Sequence, residues 1–273
     1  MRLGIFAKTF SGTDPAAVLA AVRQAGYETT QFNLACTGLP SMPDAVPADA
    51  VAAIGSAARS SGVSLAALSG TYNMAHPDKS VRDDGLRRLA VVIETAATLG
   101  IPLVTLCTGS RNAADQWAHH PDNATPAAWS DMAAEMEKAL VLAERAGVDL
   151  GIEPEQANIV TSAGEATRLI ADMGSRRLKI VLDPANLFEH ATPDEARAIV
   201  AAAIEEAAGH IAMAHAKDRH GDGRFATAGQ GIVDFPDFVA RLKDVGFDGA
   251  LVTHGLSANE APGVATFLRE LFR

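Results

Sequence analysis

The chain has 273 residues, with 23 lysines and arginines against 33 aspartates and glutamates, for a formal net charge of −10. That acidic excess argues against general binding to nucleic-acid phosphates, where a basic face is expected. Hydrophobic residues make up 48 % of the chain, yet no run approaches the ~18 consecutive apolar residues of a membrane span. The opening segment Met1–Lys8 is too short and too soon interrupted for a secretory signal. Cys36 and Cys107 stand alone without a CxxC pattern, which argues against a disulfide framework or a thiolate zinc site. The expectation is a cytoplasmic protein in which both thiols are small apolar residues near strand ends.

Short β-rich runs alternate with amphipathic helical stretches from end to end. The expected strands are Leu3–Ala7, Thr29–Leu34, Ser64–Ser69, Leu103–Cys107, Asp149–Glu153, Lys179–Asp183, Ile211–His215 and Ala250–His254. The helices between them are expected near 15–25, 47–61, 79–99, 125–146, 162–173, 193–207, 234–245 and 258–272. Leu86, Leu89, Ile93 and Ala97 share one helical face, as do Trp129, Met132, Met136, Leu140 and Ala143. Capping side chains beside proline mark helix starts at Asp14-Pro15, Thr125-Pro126, Thr192-Pro193 and Asp234-Phe235-Pro236. Glycines such as Gly62, Gly100 and Gly147 end helices just before the next strand, as a left-handed C′ residue does.

Eight strands alternating with eight helices, without a linker, imply one α/β domain over residues 1–273. An open doubly wound sheet and a closed (β/α)8 TIM barrel both fit that count. No glycine-rich nucleotide fingerprint follows the first strand. The βα unit averages about 34 residues, close to a typical barrel divided by eight. Polar residues close one strand after another, as the C-terminal face of a barrel requires, so a single (β/α)8 barrel is expected.

Strand five runs Leu150-Gly151-Ile152 and stops on Glu153. Strand six runs Ile180-Val181-Leu182 and stops on Asp183. Strand seven ends on His215 and strand eight on His254. In a parallel barrel these ends share one rim, where inward side chains converge. Two carboxylates and two imidazoles make a site for one divalent ion, with Mn²⁺, Mg²⁺, Co²⁺ and Zn²⁺ all compatible with N/O donors. A lone strand-end Asp is more often a helix cap, but four successive strands ending in phase are hard to ascribe to capping.

The stretches Glu153-Pro154, Leu182-Asp183-Pro184-Ala185-Asn186, His215-Ala216-Lys217-Asp218 and Gly229-Gln230-Gly231-Ile232-Val233-Asp234-Phe235 resemble the xylose-isomerase-like sugar isomerase/epimerase superfamily. So do Asn73-Met74-Ala75-His76-Pro77 and Thr108-Gly109-Ser110-Arg111. The resemblance implies a metal held by Glu, Asp, His and Glu from strands five to eight, with the two glutamates exchanging protons with the substrate. Glu153, Asp183 and His215 match that set, whereas His254 stands where the second glutamate is expected. The implied substrate is a small sugar, keto-polyol or sugar phosphate, isomerised or epimerised through an enediolate-type intermediate. Glu153 is the expected base, and His254 or water returns the proton. The departure at His254 keeps a lyase open, dehydrating a keto-inositol or keto-acid.

Further substrate contacts are expected from Asn186, Lys217 and His76. Lys217 and Asp218 either bind substrate hydroxyls or pair with each other. The long segment Arg111–Asn123 suggests a lid, with Trp117 covering the apolar face of a sugar and Arg111 holding an anionic substituent. Rim loops of this length also suit a homo-oligomer. Two other functions compete. A DNA-repair nuclease of the same superfamily needs more histidine and acidic ligands and a basic face, against eight histidines and a net negative charge here. A barrel that binds its ligand without turnover is the other.

Overall fold

A computed structural model describes residues 1–273. Eight parallel strands close into a barrel: β1 (Arg2–Phe6), β2 (Thr29–Phe32), β3 (Ser64–Ser69), β4 (Leu103–Leu106), β5 (Asp149–Ile152), β6 (Leu178–Leu182), β7 (Ile211–Ala216) and β10 (Ala250–Thr253). Two short strands, β8 (Asp218–Arg219) and β9 (Phe225–Ala226), form an antiparallel hairpin on the loop after β7. The ring closes where β1 pairs with both β2 and β10, with Gly4 level with Thr29 and Val252.

Eight helices form the outer layer: α1 (Pro15–Gln24), α2 (Ala48–Ser61), α3 (Lys79–Leu99), α4 (Pro126–Ala146), α5 (Ala163–Met173), α6 (Pro193–Glu206), α7 (Phe235–Asp244) and α8 (Ala261–Leu271). The expected caps form. Asp14, Thr125, Thr192 and Asp234 each accept a backbone N–H of the first helical turn, satisfying donors the helix itself leaves free. Gly147, at φ +71°, ends α4 in the left-handed conformation that other residues adopt only at a cost. On α3 the buried face is Leu89, Val92, Ile93 and Ala96, so Ala97, expected on that face, lies one step around it and is exposed. Met132 and Met136 are core residues, and both cysteines are free and buried. No helix is long and apolar enough to cross a membrane.

Strand alternation sorts the side chains into two layers. Leu3, Ile5, Val104, Leu150, Ile152, Ile180, Leu182, Ala214 and Leu251 join the large core between barrel and helices. Ala66, Ala67, Leu103, Val181, Met213, Ala250 and Val252 form a separate small cluster, with Phe6 packed against it. This cluster is narrow because glycine sits beside it: a Cβ on Gly151 would lie 2.7 Å from Val181 Cγ2. Two residues beyond Gly151, Val181, Met213 and Val252 come Glu153, Asp183, His215 and His254. The same period brings those four to the barrel axis just above the apolar floor.

Candidate metal centre

Three of the four strand-end residues converge. One ligand atom each from Glu153, Asp183 and His215 lies within 4.8 Å of the others. His215 Nδ1 is 3.2 Å from Glu153 Oε1 and 3.4 Å from Asp183 Oδ2. His254, expected as the fourth ligand, is not gathered into that group. Its ring stacks on His215, with centroids 5.2 Å apart and planes 13° apart, and tilts against Phe6 at 5.0 Å. Its Nδ1 is buried without a hydrogen-bond partner.

The tautomer of His215 follows from Gln31, an inward residue of β2. Gln31 Oε1 lies 2.8 Å from His215 Nε2, while Gln31 Nε2 donates to Ser69 Oγ at 3.1 Å and Thr105 Oγ1 at 3.2 Å. With its amide nitrogen used on those hydroxyls, Gln31 presents a carbonyl oxygen, and His215 donates Nε2–H to it. Nδ1 then aims at two carboxylates. A lone pair facing two anions at this distance is stable only with a cation among them, either a proton on the ring or a metal ion.

The electrostatics agree. Burial opposes a charge on His215, but Glu153 and Asp183 outweigh it and raise its pKa to about 9. For Asp183, which is fully buried, burial raises the pKa; Lys217 and His215 overcome this and hold it well below the usual carboxylate range. Asp183 Oδ2 accepts no hydrogen bond. A buried, ionised oxygen without a donor, beside a second carboxylate and a ring nitrogen, is a donor set suited to a hard or borderline divalent ion.

Around this triad the expected contacts separate. Asn186, on the turn after β6, donates Nδ2 to Glu153 Oε1 at 2.7 Å and accepts from Lys217 Nζ at 2.7 Å. Lys217 also lies 3.7 Å from Asp183 Oδ2. Asp218 does not pair with Lys217. Its two oxygens accept the backbone N–H groups of Arg219, Gly229, Gly231 and Val233 at 2.8–3.0 Å. This clamp explains Gly229-Gln230-Gly231, since a Cβ on Gly231 would fall 2.3 Å from Asp218 Oδ1.

Two further candidates have partners within the fold, and a third is exposed. Arg111 pairs with Asp131 at 2.7 Å and donates to the Ala75 carbonyl. His76 sits against the Asp78 and Ala113 carbonyls. Trp117 is 49 % exposed, on a segment pinned by Asn123 to Ser110, Arg111 and Ala157 and by Asn158 to Gln116.

Three residues at this rim carry no motif signal. Gln31 could have been found only from the inward phase of strand two. Glu155, two residues past Glu153, is half-buried and has a pKa near 7: burial raises it, Lys217 opposes, and Glu153 and Asp183 reinforce. Arg219 lies on the hairpin whose strands are too short to announce themselves.

A sequence profile of the xylose isomerase-like TIM barrel matches residues 19–270. No curated protein matches the chain in sequence. Among solved structures, an L-ribulose 3-epimerase is similar over 99 % of this chain and 93 % of its own, at 21 % identity and a TM-score of 0.77. The 3-keto-D-glucoside 4-epimerase of E. coli covers 99 % of each chain at 15 % identity and TM-score 0.78. A D-psicose 3-epimerase from Clostridium cellulolyticum H10 covers 100 % of each at 16 % and 0.76. At these identities the structures establish a shared fold, and the profile establishes more: the chain belongs to the xylose isomerase-like TIM-barrel family.

Proposed function

We propose that the protein is a divalent-metal-dependent epimerase or isomerase acting on a ketose, keto-polyol or sugar phosphate through an enediolate. The observation that carries this reading is the convergence of Glu153, Asp183 and His215, whose ligand atoms lie within 4.8 Å of one another, with Asp183 Oδ2 buried and without a hydrogen-bond partner. The similar structures are sugar epimerases acting at C3 or C4, which agrees with it. Glu153, Asp183 and His215 would hold the ion, which would polarise a carbonyl oxygen and stabilise the charge developing there.

Glu153 is the base for the proton on the carbon beside that carbonyl. Its Oε1 is fixed by Asn186 Nδ2, so the carboxylate is held in one orientation before substrate arrives. Lys217, anchored on the Asn186 oxygen, offers its remaining N–H groups to substrate oxygens. His254 acts as a neutral imidazole. Burial, followed by the charges of His215 and Lys217, lowers its pKa to about 4. It therefore donates or accepts a hydrogen bond at neutral pH instead of serving as a charged acid.

A lyase reading has one residue behind it, Glu155, which is half-buried two residues past Glu153. Glu155, with a pKa near 7, is part-protonated at neutrality and can supply a proton to a departing hydroxyl. The test is to incubate metal-loaded protein in deuterated water with ketoses, ketose phosphates and keto-inositols, and to follow products by NMR and mass. Deuterium beside the carbonyl without water loss, abolished by a chelator, supports the isomerase or epimerase. Water loss selects the lyase. Metal retention with no exchange into any substrate reduces the protein to a binder.

A further inference from the structure

The hairpin after β7 holds a positive charge that no carboxylate of the fold contacts directly. Arg219 is only 6 % exposed. Its Nε has no hydrogen-bond partner, and Glu155, Glu189 and Asp183 act on it without an ion-pair contact. Other well-covered arginines are answered: Arg82 lies 3.9 Å from Glu135, and Arg111 pairs with Asp131 at 2.7 Å. A well-covered guanidinium with no carboxylate in ion-pair contact is costly to the fold, and an anionic ligand would offset that cost.

The position of Arg219 indicates what that ligand shares with the metal centre. Phe225, 53 % exposed, has Arg219 Cζ 4.1 Å and Lys217 Nζ 3.9 Å from its ring centre. Lys217 in turn lies 3.7 Å from Asp183 Oδ2. An unbroken series of contacts thus runs from the triad to Arg219. With a divalent ion held by Glu153 and Asp183, the charge of those two carboxylates is taken up. Lys217 and Arg219 are then left without an ion-pair contact, and Glu155 and Glu189 act on Arg219 only from beyond that range. A neutral sugar would displace water from these cations and give them no charge in return.

We propose that Lys217, Arg219 and Phe225 form a subsite for the anionic end, carboxylate or phosphate, of an acyclic hydroxyketone whose carbonyl end lies at Glu153, Asp183 and His215. The substrate class is therefore a keto-sugar acid or ketose phosphate, and not a neutral ketose. The guanidinium fork matches either group in a bidentate pair. This inference rests on the metal-centre reading above.

The test compares D-fructose, D-fructuronate and D-fructose 6-phosphate, which differ at one end, by calorimetry on the Mn²⁺-loaded protein, with metal content measured in parallel. At least one anionic ligand should bind about tenfold or more tighter than fructose, the size of a charge-assisted hydrogen bond. The carboxylate and phosphate arms tell which anion the subsite takes. R219M should collapse that preference ratio towards one, and R219K, which keeps charge without the fork, should keep part of it. Circular dichroism confirms that the variants fold. Equal affinities across the three ligands, or an R219M ratio equal to wild type, overturns the anion subsite, as does failure of both anions to bind metal-loaded protein. If the protein retains no metal, it is the metal-centre reading that fails. The preference ratio is then measured on the metal-free protein, where a tenfold preference lost in R219M supports the subsite and equal affinities overturn it.

Discussion

Replacing Gln31 by leucine removes the oxygen that receives His215 Nε2–H at 2.8 Å while keeping the volume of the barrel interior nearly unchanged. Two effects follow, and they are separable. His215 is 2 % exposed, so its N–H is left buried without an acceptor. Unfolding free energy should then drop by about 1–3 kcal/mol, which lowers the melting temperature of the metal-free protein by several degrees. The ring also loses the contact that fixes its tautomer, and such a partner is worth about 10–100-fold in metal affinity. Q31E supplies the control, because a carboxylate still accepts from Nε2–H, and the Ser69 and Thr105 hydroxyls can turn to donate to it. Calorimetric titration with Mn²⁺ should show Q31L weakened about 10–100-fold and Q31E close to wild type. A Q31L protein with a lowered melting temperature and unchanged metal affinity would refute the assignment of Gln31 as the residue that orients His215.

The remaining predictions concern the ligands, their protons and the loop clamp. E153Q should fold and lose turnover with every substrate that wild type converts, because the amide offers an oxygen but takes no proton at neutral pH; steady-state rates beside circular dichroism check this. Metal affinity should strengthen as pH rises towards about 9, since binding must displace the proton that Glu153 and Asp183 hold on His215. Without metal, the same raised pKa contributes stability that is full below the ordinary value of 6.5 and is lost as pH climbs through about 9. Urea melts across that range should show the decline in metal-free protein and not in metal-loaded protein. H254E should impair exchange chemistry: it puts a negative charge beside the developing enediolate and replaces the neutral imidazole. Faster epimerisation with full metal content would reverse that view of His254. D218N leaves one acceptor oxygen for four backbone N–H groups, and urea melts should show a loss of about 1–3 kcal/mol for each donor stranded in the interior.

The barrel was readable because its signals are local. Strand three is Ser64–Ser69 in sequence and structure alike, and the other expected strands differ from the observed ones by one or two residues at their ends. Alternation within each strand, together with proline and glycine at the helix ends, is enough to place them. The triad was readable for the same reason, since Glu153, Asp183 and His215 share one inward phase. For His254, phase places the side chain on the axis but does not decide whether the ring meets the group edge-on or, as here, lies flat on its neighbour. Arg111 was expected at the substrate, and its partner Asp131 comes from α4, a tertiary pairing that no spacing announces. Lys217 and Asp218 are adjacent in sequence but serve opposite purposes, one turned to the triad and the other to a glycine loop. Glu155 and Arg219 went unread because their significance arises from burial and from which charges surround them.

The central claim is that Glu153, Asp183 and His215 hold one divalent ion. Anomalous diffraction from crystals of the Mn²⁺-loaded protein tests it most directly. A single strong peak is expected about 2.0–2.3 Å from a carboxylate oxygen of Glu153, a carboxylate oxygen of Asp183 and Nδ1 of His215. The claim is contradicted if saturating Mn²⁺ leaves no peak there, or if Lys217 Nζ moves into the place between those three side chains.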